Sequence, residues 1–299
     1  MRRSFVTADV FTTTKGGGNP LAVVLDCADL TDAQMQMITR EFNLSETAFV
    51  LPPKTPDQTA FVRIFTPTGE LPFAGHPVVG TAVILANRHK TNSGTSPTRM
   101  VLEVPLGNVQ IQVADNPGGA ISATCVVPKL PVMKSPSPNV GQVAAALSLS
   151  TSDIDATRRP IQTWDAGFPV LFAALRSRDS VSRARVELSK WFSTDEFGWP
   201  VSVYPYAATG QGRFYARMFA PMDGVLEDAA TGGAVAAFAG HLHACDELRE
   251  GIHEAIIEQG VDMGRPSQIK LEIEIAQGRL ESVRIGGTAV EFMAGSFDV

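Results

Sequence analysis

The chain has 299 residues, 44% of them hydrophobic, and sets 25 basic against 31 acidic side chains for a net charge of −6. That length suits two domains of about 150 residues each. An acidic chain with no run of Lys or Arg argues against a nucleic-acid partner, and its apolar stretches, such as Phe168 to Leu175, fall far short of the ~20 residues of a membrane span. Arg2 and Arg3 are followed by no apolar run, so no secretory signal is expected. Cys27, Cys125 and Cys245 are widely spaced and read as reduced thiols of a cytoplasmic protein.

Phe5 to Phe11 alternates apolar and polar residues and reads as a strand. Lys15 to Pro20 is a loop, because three glycines and a proline oppose regular structure. Leu21 to Leu25 is short enough for a buried strand. Thr31-Asp32-Ala33-Gln34 is a capping box opening a helix whose Met35, Ile38 and Phe42 share a face. Strands follow at Thr47 to Leu51 and Ala60 to Phe65. A helix is expected from Pro77 to about Arg88, then a hairpin over Val101 to Val113 turning at Gly107-Asn108, then a strand from Ile121 to Val127. Pro128 to Asn139, rich in Pro and Ser, reads as the linker between domains 1–128 and 129–299, with terminal strands able to cross between them.

The second half reads in the same order. A strand at Val170 to Leu175 precedes a helix over about Ser180 to Trp191. Strands at Val201 to Tyr206 and Arg213 to Phe219 lead to a helix from near Thr231 to about Cys245. A hairpin over Ile269 to Ile285 turns at Gln277-Gly278, and a strand over Ala289 to Met293 ends the chain. Local identity supports a duplication. Arg63-Ile64-Phe65-Thr66-Pro67 recurs as Arg217-Met218-Phe219-Ala220-Pro221, at an offset close to half the chain. Gly18-Asn19-Pro20 is echoed by Gly167-Phe168-Pro169, and each copy ends in a glycine-opened helix, at Gly75-His76 and at Gly232-Gly233. The class is α+β, since strand–helix–strand alternation is too sparse for a doubly wound sheet.

Residues that differ between the copies are the chemical candidates. Glu46 lies where a helix ends and a strand begins, with Leu44, Ala48 and Phe49 around it; desolvation there raises a carboxyl toward acid–base use. A surface glutamate is the plain alternative. Its counterpart in the second copy falls near Phe197 or Gly198, with no carboxylate beyond Glu196. Gly75 admits a ligand to the N–H groups of the helix behind it, and His76 at the mouth can move a proton or cap the helix. Asp228, ahead of Thr231, Gly232 and Gly233, is either a second such acid or an N-cap. His241 and Cys245 share a helix face, but two ligands do not make a metal site. The glycines at 16–18 match no nucleotide-binding pattern. Ala74 and Ala230 stand where a catalytic thiol would have to be.

These segments resemble the phenazine-biosynthesis isomerase (PhzF-like) family of the diaminopimelate-epimerase-like fold. The resemblance runs through Ala8 to Thr12, Gly18 to Val24, Asn43 to Thr47, Arg63 to Pro67, Glu70 to Pro77, Glu227 to Gly232, and Glu258-Gln259-Gly260 with Gly264 to Ser267. It implies two similar domains, each a curved sheet or barrel around a central helix, with an active site in the cleft between them. It also implies a homodimer and no cofactor. Glu46 maps to the family's acid/base, Gly75 and His76 to its Gly-His pair, and Asp228 to its aspartate. Asn19, Gly75, Thr231, Gly232 and Gly233 are the expected substrate contacts. Ala229 and Gly233 replace the usual Pro and Ser, and the missing hydroxyl at Gly233 removes one possible hydrogen bond. The expected activity is a cofactor-independent isomerisation that moves a proton within a small cyclic or conjugated carboxylic acid resembling dihydro-hydroxyanthranilate. A non-catalytic binder of small acids, or an epimerase that uses no cysteine, is the alternative.

Overall fold

The computed structural model describes residues 2–246 and 248–299. The chain forms two compact units, Met1–Pro128 with Ile285–Val299, and Lys129–Arg284. The closing segment joins the first unit because it supplies a partner for the N-terminal strand.

The first unit contains β1 (Arg2–Val10), β2 (Asn19–Val24), α1 (Asp32–Phe42), β3 (Glu46–Leu51), β4 (Ala60–Phe65), β5 (Glu70–Leu71), α2 (Gly75–Ser93), β6 (Arg99–Val104), β7 (Gly107–Asp115) and β8 (Ile121–Val126). β1 runs antiparallel to β2, β2 parallel to β3, β3 antiparallel to β4, and β4 parallel to β6. β6, β7 and β8 continue antiparallel. Residues 289–298 pair with β1, and the same closing strand also pairs with β8, so the strands close into a ring. α2 packs against β1, β2, β3, β6, β7 and β8. It is buried without interruption from Gly75 to Ile84, as a helix enclosed on all sides must be. Gly80 permits that enclosure: a Cβ there would stand 2.6 Å from both Leu21 Cδ2 and Val10 Cγ2. α1 lies outside the ring, with Met35 and Ile38 packed with Phe49 and Phe65. The Thr31–Gln34 capping box starts it, and Asn43 in the left-handed region ends it.

The second unit contains β9 (Val132–Lys134), α3 (Val140–Ala146), β10 (Gln162–Asp165), β11 (Pro169–Ala174), α4 (Arg178–Arg183), α5 (Thr194–Phe197), β12 (Ser202–Gly210), β13 (Arg213–Ala216), β14 (Met218–Ala220), β15 (Val225–Asp228), α6 (Gly232–Asp246), β16 (Gly251–Gln259) and β17 (Ser267–Ala276). β18 (Arg279–Asp298) begins here and ends in the first unit. Its pairing sequence repeats that of the first unit: β10–β11 antiparallel, β11–β12 parallel, β12–β13 antiparallel, β13–β16 parallel, β16–β17 antiparallel. α6 packs on β9, β10, β11 and β17.

The duplication reaches individual side chains. Asp9 stands opposite Pro20 and accepts from the Gly16 N–H at 2.8 Å; Asp165 stands opposite Pro169 and accepts from the Gly167 N–H at 2.7 Å. Arg63 donates Nε and Nη2 to the two Glu70 oxygens at 2.7 and 2.6 Å. Arg217 does the same to Glu227 at 2.8 and 2.7 Å.

Several expectations are corrected. The β6–β7 turn is Pro105-Leu106, not Gly107-Asn108, because Gly107 already pairs with Val104. α2 opens at Gly75 and runs to Ser93, longer than Pro77 to Arg88. The expected helix over Ser180 to Trp191 breaks into α4 and a 3-10 turn at Leu188–Lys190. Arg217 Nη1 takes the Val181, Ser182 and Ala184 carbonyls at 3.3, 3.2 and 2.8 Å, so the chain leaves the helix at Ala184. The expected linker contains β9, which pairs with β10. Strand Arg213 to Phe219 divides at Arg217. The strands expected at either side of Gly286 are one strand, β18. α3, β10 and β16 were not expected from the residue pattern.

Candidate active site

In the first unit the helix-to-strand junction carries Glu46 into the first position of β3, half-buried, opposite Leu21 of β2. α2 starts at Gly75 with no side-chain cap from Ala74, so its leading N–H groups stay available to an anion. His76, the second residue of α2, is 4% exposed. Its Nε2 lies 3.5 Å from Glu46 Oε2, and its Nδ1 lies 3.5 Å from Asn19 Nδ2. Asn19 is 1% exposed, and its Oδ1 accepts from Ser45 Oγ at 3.3 Å. That bond orients the Asn19 amide with its donor toward the imidazole. Burial pushes the His76 imidazole down to about 3, against a backbone hydrogen bond with Pro20. His76 is therefore neutral at physiological pH, with one ring nitrogen a donor and the other an acceptor. The Asn19 amide contacts both His76 and Ser45.

In the second unit Asp228 ends β15, and its Oδ2 accepts from Thr231 Oγ1 at 2.5 Å. Thr231 begins the helix, its carbonyl receiving the Val235 N–H at 3.0 Å. Gln259 braces this turn from β16. It is wholly buried, donates Nε2 to the Asp228 carbonyl at 2.9 Å and to Thr231 Oγ1 at 3.1 Å, and accepts from Thr231 N–H at 3.3 Å and Tyr204 Oη at 2.9 Å. Burial, and then the Asp228 charge, push the Tyr204 hydroxyl up, so it stays a donor. Gly260 follows in the left-handed region at φ 74°, where a Cβ would meet the Ala229 carbonyl at 2.5 Å. The backbone at Ala229 is thus clamped from β16. Gly232 is buried and Gly233 half-buried.

The pairing register corrects the counterpart of Glu46. Leu21 pairs with Glu46, and the equivalent Val170 pairs with Ser202, not with a residue at 197 or 198. Ser202 is buried and donates to Asp223 at 3.2 Å. Ser45 and Gln259 carry no local signal of their parts, which depend on partners distant in the chain. His241 is buried between Tyr206 Oη at 2.8 Å and Gln162 Oε1 at 3.0 Å. Among the described residues no group of three His, Cys, Asp or Glu side chains could hold a metal ion, and no helix is long and apolar enough to cross a membrane.

Comparison with known proteins agrees with this architecture. The family model described as "Phenazine biosynthesis-like protein" matches residues 8–295. An uncharacterized isomerase of Mesorhizobium japonicum is 40% identical, the match covering 98% of each chain. Trans-2,3-dihydro-3-hydroxyanthranilate isomerase of Pseudomonas fluorescens is 35% identical, again over 98% of each. The crystal structure of a PhzF-family phenazine biosynthesis protein from Bacillus anthracis superposes with a TM-score of 0.88 at 23% identity, over 100% of both chains. The two repeated units with their central helices are the diaminopimelate-epimerase-like α+β fold. The chain belongs to the phenazine biosynthesis-like protein family, and within it to the isomerases.

Proposed function

We propose that this isomerase moves a proton between two carbons of a small unsaturated carboxylic acid, with Glu46 as its acid/base. Trans-2,3-dihydro-3-hydroxyanthranilate, the substrate in the name of the Pseudomonas fluorescens relative, is the first compound to test. Glu46 takes a proton from carbon, the electron pair moves into the conjugated system, and the proton is delivered to a second carbon. Electrons balance within the substrate, so the step as written requires a proton carrier and no cofactor. Gly75 at the opening of α2, and Thr231, Gly232 and Gly233 at the opening of α6, are assigned to the carboxylate and other polar groups of the substrate. Asp228, fixed by Thr231 and Gln259, is assigned to orient a polar substituent.

The observation that carries this reading is the 3.5 Å approach of Glu46 Oε2 to Nε2 of a buried, neutral imidazole. One neutral tautomer of His76 serves both charge states of Glu46. With the ring proton on Nε2, His76 donates to the Glu46 carboxylate and Nδ1 accepts from Asn19. With Glu46 protonated, the Nε2 proton is offered to the carbonyl oxygen of its carboxyl group, so no proton has to cross the ring. The imidazole serves both ends of the proton transfer without becoming charged. Ala74 and Ala230 at the helix openings supply no thiol pair for a two-base epimerase, which supports a single carboxyl base.

Proton NMR in D₂O of trans-2,3-dihydro-3-hydroxyanthranilate with the wild-type protein and with Glu46→Gln tests the reading. The wild type should convert it with deuterium on a ring carbon. Glu46→Gln should turn over about 10²–10⁴ more slowly, the usual contribution of one positioned acid/base. A Glu46→Gln protein of undiminished rate would remove Glu46 as the base. A folded wild type that leaves the compound unchanged would remove this substrate.

A further inference from the structure

The two copies hold the same pair of positions against each other and fill them with opposite chemistry. The residue before the proline that pairs with Asp9 or Asp165 is Asn19 in the first unit and Phe168 in the second; the second residue of the central helix is His76 in one and Gly233 in the other. In the first unit the two side chains form a buried polar contact at 3.5 Å. In the second the Phe168 ring lies over bare backbone. A Cβ at Gly233 would stand 2.7 Å from Phe168 Cε1, 3.5 Å from Cζ and 3.6 Å from Cδ1. The ring occupies the space that any side chain at 233 would enter. Phe168 is 37% exposed, so part of its ring stays open to an incoming molecule. The turn that carries it is fixed by Asp165 Oδ1, which accepts from the N–H of Gly167, itself at φ 143°.

We infer that Phe168 is a specificity-determining residue of this enzyme. Its ring, laid over Gly233, is an apolar platform on which an unsaturated ring acid packs, and acyclic acids of equal charge are disfavoured. The inference rests on the reading of the α6 opening as part of the substrate site and names the substrate feature recognised there. An aromatic platform discriminates by the flat apolar area it covers, beyond any charge pairing with the carboxylate. Gly233 belongs to the same device, because only a residue without a side chain leaves the ring where it is.

Calorimetric binding of two unreactive probes, anthranilate and butyrate, separates this inference from the acid/base chemistry. The wild type and Glu46→Gln should both bind anthranilate about tenfold or more tightly than butyrate, the scale of one aromatic contact. Phe168→Ala should abolish that preference and leave butyrate unchanged, while Phe168→Leu should keep part of it. Gly233→Ala should displace the ring and resemble Phe168→Ala, and the double variant should be no worse than either single one. An unchanged anthranilate-to-butyrate ratio in Phe168→Ala overturns the inference, as does simple addition of the two single effects. Failure of the wild type to bind either acid would overturn it together with the assignment of this turn to the substrate. Equal binding of both probes by a wild type that still isomerises in a Glu46-dependent way would overturn it alone.

Discussion

The contact of His76 with Glu46 requires that the imidazole stay neutral, and this has a measurable consequence for stability. The ordinary histidine value of 6.5 is pushed by burial to about 3 in the folded protein. The unfolded chain therefore takes up the proton first as pH falls. The stability tied to the neutral imidazole is intact above pH 6.5 and is lost progressively between 6.5 and 3. At roughly 1.4 kcal/mol per pH unit, acidification to pH 5 costs about 2 kcal/mol through this one group. Ordinary carboxyl groups titrate mostly below pH 5, and comparison with His76→Gln cancels groups common to both proteins, the buried His241 among them. Two-bond ¹H–¹⁵N NMR on histidine-labelled protein should show His76 as a neutral tautomer at every pH from 7 to 5. In parallel, the stability difference between wild type and His76→Gln, from denaturant unfolding, should shrink by about 2 kcal/mol between pH 7 and pH 5. A His76 midpoint near 6.5, or a pH-independent difference, would refute the neutral imidazole. Glu46 would then face an imidazolium, and a neutral hydrogen-bond partner for the base would have to be abandoned.

The duplicated ion pairs should differ in weight because they differ in burial. The Arg217 and Glu227 side chains are 6% and 16% exposed, against 17% and 31% for Arg63 and Glu70. Glu227→Gln leaves the buried guanidinium with Asp262 at 3.8 Å as its remaining carboxylate and should cost about 2 kcal/mol or more, whereas Glu70→Gln should cost about 1 kcal/mol or less. Trp164, Trp191 and Trp199 all lie in the second unit, so tryptophan fluorescence reads the Glu227→Gln transition and circular dichroism reads the other; equal costs would contradict the burial argument. Gln259→Leu leaves Tyr204 Oη and the Thr231 N–H without their shared acceptor and should lower the tryptophan-reported stability by roughly 2 kcal/mol. It should also slow isomerisation, and unchanged turnover would remove Gln259 as the brace of Asp228.

Much of the fold was legible because short-range rules govern it. The Thr31–Gln34 capping box, the alternating strand over Ala60 to Phe65 and the Gln277-Gly278 turn, with φ of 53° and 70°, obey constraints that act within a few residues. The repeated Arg-x-Phe-x-Pro segments disclose the duplication by identity alone. The errors lie where distant groups decide. Arg217 ends α4 by taking carbonyls more than thirty positions earlier in the chain. β9 escaped notice inside a Pro- and Ser-rich segment because its pairing with β10 outweighs local propensity.

The candidate site divides the same way. The sequence by itself determined which side chains are present: a glutamate at a helix-to-strand junction, a histidine and glycines at helix openings, and no thiol at either opening. Tertiary structure alone decided that His76 is neutral, since enclosure in a ring of strands removes the water that would stabilise its charge. It also decided that the counterpart of Glu46 is Ser202, because strand register, not sequence offset, sets which residues are equivalent. And it placed the Phe168 ring over Gly233, a contact between residues far apart in the chain that packing creates and no local pattern encodes.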